Sequence, residues 1–174
     1  MSGTSPYIAA PTSRLKIRNI VSFIRKQFEL HDEKHFPVVH FLEFGLTQID
    51  EDFNYEVVTL NELPFDYART YPEKRQIVIR EDVYLNALNG IGRDRFTIAH
   101  EIGHYILHRP KMLGLARNNK QEKVPKFKDP EWQANTFAGE LLAPPNIIRG
   151  LVAKEISEQC GVSMKVANIQ LAKI

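Results

Sequence analysis

The chain of 174 residues has one cysteine, one tryptophan and no run of 18 apolar residues. A lone thiol cannot close an internal disulfide, so no covalent framework holds this fold. Cys160 lies in an apolar-periodic tail without a reactive context and reads as a packed thiol, not a nucleophile. The absence of a long apolar run excludes a helical membrane span. Met1 to Leu15 lacks the apolar core of a secretory signal. These absences together point to a reducing cytoplasm. Charge of one sign is also missing. Lys and Arg number 23 and Asp and Glu 21, and a net charge of +2 favours neither nucleic acid nor an acidic surface. What remains is an ordinary globular composition, 43% apolar. The length suits one core and is short for two.

Residues 1–11 carry Ser, Gly, Thr and two Pro and are expected to form a flexible lead. Residues 12–150 are expected to form the main domain, with 151–174 a helical segment packed on it or extending it. The apolar positions 17, 20, 21, 24 and 28 predict a helix over 12–31, capped by Thr12 or Ser13. Pro37 to Leu46 is a second helix, with Gly45 near its stop. Tyr55 to Leu60 and Gln76 to Arg80 alternate as strands, and Ala68 to Tyr71 is a hairpin partner of the latter across Pro72-Glu73-Lys74. Asp82 to Leu88 makes a short helix ended by Asn89-Gly90, and a longer helix starts near Arg93.

That longer helix carries His100-Glu101-Ile102-Gly103-His104. Positions i and i+4 of a helix are about 40° apart around the axis and about 6 Å along it, so both imidazoles leave one face. Two such nitrogens can reach one zinc ion at about 2.0–2.1 Å. Glu101 beside them can take a proton from activated water. With 6 His in the chain, shuffling would produce the motif on the order of 0.01 times, so chance is a poor explanation. Ile98, Ala99, Ile102, Tyr105 and Ile106 form an apolar stripe that buries the helix and holds the ligands.

A hydrolytic zinc site needs a third protein ligand and an open position. A His six residues after the second is one route, but Pro110 stands there. His108 is too far round and along the helix from His100 to share an ion with it, and reads as core packing or a rim contact. Among Glu122, Glu131 and Glu140, the favoured ligand is Glu131. It opens a helix with Asp129 as N-cap and Pro130 at the first position, on the side facing the stripe Ala134, Phe137, Ala138, Leu141, Leu142. Asn135, one turn later, can accept the second N–H of a ligating His and fix its tautomer.

The stretch Arg95 to His104, followed by Glu131-x-x-Ala134-Asn135-x-Phe137-Ala138-x-x-Leu141-Leu142-x-Pro144, resembles the ImmA/IrrE family of metallo-endopeptidases. The resemblance covers roughly 15–150. It implies an α+β, zincin-like domain in which a small twisted sheet packs on helices. It also implies one zinc per chain on His100, His104 and Glu131, with Glu101 as general base. The implied partner is a helix-turn-helix repressor inactivated by site-specific proteolysis in a bacterial or phage cytoplasm. One departure is Ala143 before Pro144, where the family often has Met.

In such folds an edge strand beside the metal helix pairs with the substrate backbone. By resemblance the candidate is Ile77, Val78 and Ile79, the alternative being an internal strand without a free edge. An oxyanion stabiliser is also required, and Tyr67, Tyr71, Tyr84, Arg95 and His108 are chemically able. Arg109 to Lys128 carries seven Lys and Arg against one Glu, as a solvated loop or a docking surface for an acidic partner. Ala153 to Ile174 reads as helix, Gly161-Val162-Ser163, helix. Only Lys165, Asn168 and Gln170 suit DNA there, so packing is expected and direct DNA binding is not. Two other roles remain open from sequence: a zinc-stabilised protein that docks to a repressor with little turnover, and a toxin–antitoxin component.

Overall fold

The computed structural model describes residues 7–109, 115–117 and 123–174. The elements begin with β1 (Tyr7–Ala9) and α1 (Arg14–Gln27). Next come α2 (Val38–His40), a π turn (Phe41–Gly45) and α3 (Leu46–Ile49) in one continuous run. The sheet strands β2 (Asn54–Val58), β3 (Ala68–Tyr71) and β4 (Gln76–Arg80) are followed by α4 (Glu81–Leu88) and α5 (Gly92–Leu107). The chain continues through β5 (Leu115–Arg117), α6 (Pro130–Leu142), α7 (Pro145–Ile148), α8 (Ala153–Cys160) and α9 (Met164–Leu171). This is the expected α+β architecture, a small mixed sheet packed on helices.

The Ser13 hydroxyl caps α1 by accepting the Lys16 N–H at 3.2 Å. Ile17, Val21 and Ile24 form its buried face. The helix ends at Gln27, short of the predicted residue 31, because Glu29 turns left-handed at φ 56°. Arg25, buried in the last turn, donates to the Leu141 carbonyl at 2.7 Å and so satisfies an end carbonyl of α6. Burial pushes its guanidinium down to about 10. Gly45 is not a stop. It sits inside the π turn, where a Cβ would come within 2.4 Å of the Phe41 ring. The glycine lets that ring fold back and pack edge-on against Phe28 and Phe36 at 5.0 and 5.4 Å.

The sheet order is β2-β4-β3. β2 runs parallel to β4 with Tyr55 opposite Ile77, and β3 runs antiparallel with Thr70 opposite Ile77. β4 is therefore the middle strand. Ile77 and Ile79 point inward and are fully buried, as the alternation predicts. They face a core shared with Ile98, Ile102, Phe137 and Leu141, formed where α5 and α6 pack together. Tyr7–Ala9, inside the lead expected to be flexible, instead pairs antiparallel with Leu115–Arg117.

Asp50, just past α3, ties the end of the metal-motif helix to the sheet side. It accepts the Tyr105 hydroxyl at 2.7 Å, Arg109 at 3.1 Å and Arg75 at 3.0 Å. The Tyr105 hydrogen bond, with the two arginines, holds its carboxyl below the usual range. At the other end of α5, a Cβ on Gly92 would meet the Val162 backbone at 2.7 Å, so glycine permits a close approach of the α8–α9 turn. Arg95 donates to the Gly161 carbonyl at 2.9 Å and locks that approach. Ile156, Cys160 and Ala167 are buried, and Gln170 donates to the Ala143 carbonyl at 3.1 Å. The C-terminal helices thus pack on the main body through their apolar face. Burial also raises the Cys160 thiol. Among the described residues no helix is long and apolar enough to cross a membrane.

Candidate metal centre

The motif helix buries Ile98, Ala99, Ile102, Tyr105 and Ile106, so its rotation about its own axis is fixed by the core. That rotation leaves His100 and His104 at the surface of the same side, their side chains 16% exposed. α6 is capped as predicted, with Asp129 accepting the Glu131 N–H at 3.0 Å and Pro130 in the first turn. Its first turn delivers Glu131 to the histidines. Glu131 Oε2 lies 3.3 Å from His100 Nε2, and Oε1 lies 3.1 Å from His104 Nε2. The two Nε2 atoms are 3.0 Å apart.

These separations suit a tetrahedral ion, for which donors at about 2.0–2.1 Å from zinc stand about 3.3 Å from one another. Charge and protonation agree. The Asn135 amide oxygen lies 3.0 Å from His100 Nδ1, so that nitrogen donates and the Nε2 lone pair points inward. In the neutral ring that lone pair faces His104 Nε2 and the Glu131 carboxylate, and a cation between them, a proton or a metal ion, offsets the repulsion. Hydrogen bonds to His100 and His104 hold the Glu131 carboxyl far below its usual range. Burial lowers His100, but Glu131, Glu101 and Asn135 outweigh it and leave the imidazole raised. Among the described residues, His100, His104 and Glu131 form the one group of such donors close enough to hold a metal.

Glu101 is 8% exposed and next to this cluster along the helix. The Thr70 hydroxyl lies 2.6 Å from its Oε2 and 3.0 Å from its backbone carbonyl. The single hydroxyl proton serves the carboxylate at the shorter distance and leaves Oε1 available. Sequence reasoning missed Thr70. Its only signal is the period-2 alternation that puts it on the same face of β3 as buried Ala68.

The remaining expectations divide. Ile77, Val78 and Ile79 have no free edge, because β2 and β3 occupy both sides of β4. The strand flanking α5 at the sheet border is β3. Glu140 is fully buried with Arg14 at 2.7 Å and Arg18 at 2.9 Å, committed to structure far along α6 from the cluster. Glu122 and most of the basic 109–128 stretch lie outside the described residues. Of the oxyanion candidates, Arg95 is buried against the carbonyls of Phe36 and Gly161. Tyr84 donates to Glu43. Tyr67 and Tyr71 lie against arginine and lysine side chains. His108 alone touches the cluster, from behind, with its Nδ1 3.0 Å from His104 Nδ1. Burial pushes that imidazole down to about 4, which favours its neutral form.

Gly103 decides how closely α6 approaches. A Cβ there would meet Phe137 Cβ at 3.1 Å and Ala134 Cα at 3.2 Å. Gly103→Leu is expected to push α6 outward, carry Glu131 away from the histidines and destabilise the fold by about 1–3 kcal/mol. Calorimetric zinc titration and thermal melting would read both effects. Wild-type affinity in the variant would mean the α5–α6 spacing does not set the site.

No curated protein sequence matches the chain. Residues 50–171 match the IrrE N-terminal-like domain, a span that includes the whole cluster and extends past residue 150 into the C-terminal helices. That span is well over half the chain, and the chain belongs to this metallopeptidase family.

Proposed function

We propose that the protein is a zinc-dependent endopeptidase whose substrate is a helix-turn-helix repressor or similar regulator, cut at one site in the cytoplasm. The observation that carries the chemical part is the convergence of His100, His104 and Glu131 with Glu101 beside them, held by Thr70. A His/His/Glu donor set favours zinc among the available divalent metals. Zinc bound there supplies a Lewis acid that activates water and polarises a carbonyl. Glu101 takes the proton of the attacking water on Oε1 and delivers it to the leaving amine nitrogen. Thr70 holds the other oxygen, so the carboxylate does not swing away. Asn135 orients His100. An extended substrate adds to the outer border of β3, which lies along the motif helix, and not to β4, the strand for which the sequence left a substrate edge and an internal position both open. Family membership supports peptide-bond hydrolysis, and the repressor as substrate rests on the ImmA/IrrE resemblance.

The test is incubation of the zinc-loaded protein with the repressor encoded nearest to it, followed by intact-mass analysis. The expected result is one pair of complementary fragments, suppressed by a chelator and restored by zinc. Relief of repression with the repressor intact would replace cleavage by docking.

A further inference from the structure

We propose that His108 and Gln133 form a hydrogen-bond relay that dictates which nitrogen of His104 carries its proton, presenting the Nε2 lone pair to the metal site. This rests on the reading of His104 as a metal ligand through Nε2. The relay starts at two backbone carbonyls. Gln133 Nε2 donates to the Ala10 carbonyl at 2.9 Å and to the Phe127 carbonyl at 3.0 Å. Carbonyl oxygens only accept, so this end of the amide is the NH₂ group and Oε1 is the acceptor. His108 Nε2 lies 2.9 Å from that Oε1 and therefore carries a hydrogen. A neutral imidazole has one N–H, so His108 Nδ1 is a bare acceptor. It stands 3.0 Å from His104 Nδ1, which must donate. In neutral His104 the remaining nitrogen, Nε2, is left with its lone pair directed at Glu131 and His100.

Each link admits one direction, and burial keeps water from substituting for any of them. Gln133 is fully buried and His108 is 2% exposed. His100 is held differently, by Asn135 on the exposed side of α6. One ligand is thus oriented from the surface and the other from the interior. The interior chain begins at Ala10, immediately after β1, and at Phe127, in the 3-10 turn before α6. The seating of the N-terminal strand therefore reaches His104. His108 and Gln133 are positioning residues, since neither reaches the reacting atoms.

The test uses the full chain labelled with ¹⁵N-histidine. Long-range ¹H–¹⁵N correlations report which ring nitrogens are protonated, without zinc and with one equivalent. The expected pattern in both states is His108 protonated at Nε2 only and His104 protonated at Nδ1. His108 protonated at Nδ1, or His104 with a bare Nδ1, overturns the relay. Zinc affinity is measured alongside by chelator competition. His108→Leu should weaken it on the order of 10–100-fold. His108→Asn places an amide oxygen near the former Nδ1 and should recover most of that loss. Equal affinities for the Leu and Asn variants would mean that His108 only fills space, and would also overturn the relay. The wild-type tautomers decide the matter even if the leucine variant does not fold. The two readings fail separately. A protein that takes up no zinc but shows these tautomers keeps the relay and loses the enzyme. One that binds zinc with His108 protonated at Nδ1 keeps the site and loses the relay.

Discussion

Glu101→Gln is expected to leave zinc in place and to lower kcat/KM for a cleaved peptide on the order of 10²–10⁴-fold, the usual contribution of a positioned general base. The structure separates the two effects. Glu101 is not among the clustered donors, so the metal's protein ligands survive the change. Its carboxylate is engaged by Thr70 at 2.6 Å, and the amide oxygen of glutamine accepts the same hydroxyl. The replacement therefore keeps shape, burial and the hydrogen bond, and removes the capacity to accept a proton from water. Metal content by plasma mass spectrometry and peptide turnover by mass spectrometry form the paired measurement. Turnover at the wild-type rate would dismiss Glu101 as the base. Loss of zinc together with activity would mean that the variant had disturbed the site itself. The same variant distinguishes proteolysis from docking, because a protein acting by docking alone would still relieve its repressor.

What was legible in the sequence follows from which interactions are local. The motif histidines and Glu131 could be placed because helix geometry, Asp129 and Pro130 are local signals, and two amphipathic stripes point their faces at each other. The hairpin of β3 and β4 was also local, through Pro72-Glu73-Lys74. The position of β4 in the sheet was not. Alternation at Ile77 and Ile79 reports that one face is buried and says nothing of what sits beside the strand. β2 reaches β4 across a long connection, parallel and without a turn signature. Thr70 and Gln133 were missed for the same reason. Each is a single polar residue whose meaning depends on a partner 31 or 25 positions away, Glu101 for the one and His108 for the other. His108 was expected to pack or to touch the rim, and its hydrogen bond to the back of His104 has no sequence signature. The π turn at Gly45 likewise comes from the approach of the Phe41 ring, which only packing reveals.

Glu131→Ala is expected to cost the metal and spare the fold. Glu131 is 61% exposed along its side chain, and its backbone N–H is already satisfied by Asp129. Truncation therefore opens no cavity and leaves the cap of α6 intact. For binding the position is different. Glu131 supplies the only carboxylate in the cluster, and its oxygens approach both histidines. Zinc sites with four protein ligands bind with about 10–16 kcal/mol, or roughly 2.5–4 kcal/mol per ligand. Removing one ligand should weaken zinc about 100–1000-fold. The melting temperature of the zinc-free variant should match that of zinc-free wild type. The upward shift that zinc produces in wild type should shrink at equal zinc, because ligand stabilisation follows the ratio of free ligand to Kd. Competition against a chromogenic chelator and thermal melting with and without zinc would measure both quantities. Zinc held at wild-type affinity by the variant would remove Glu131 from the ligand set. Within the described residues Glu140 could not replace it, since Arg14 and Arg18 hold that carboxylate, and His108 faces the wrong nitrogen of His104. Such a result would therefore break the His/His/Glu site itself, and with it the argument that family membership and geometry describe one zinc-dependent reaction.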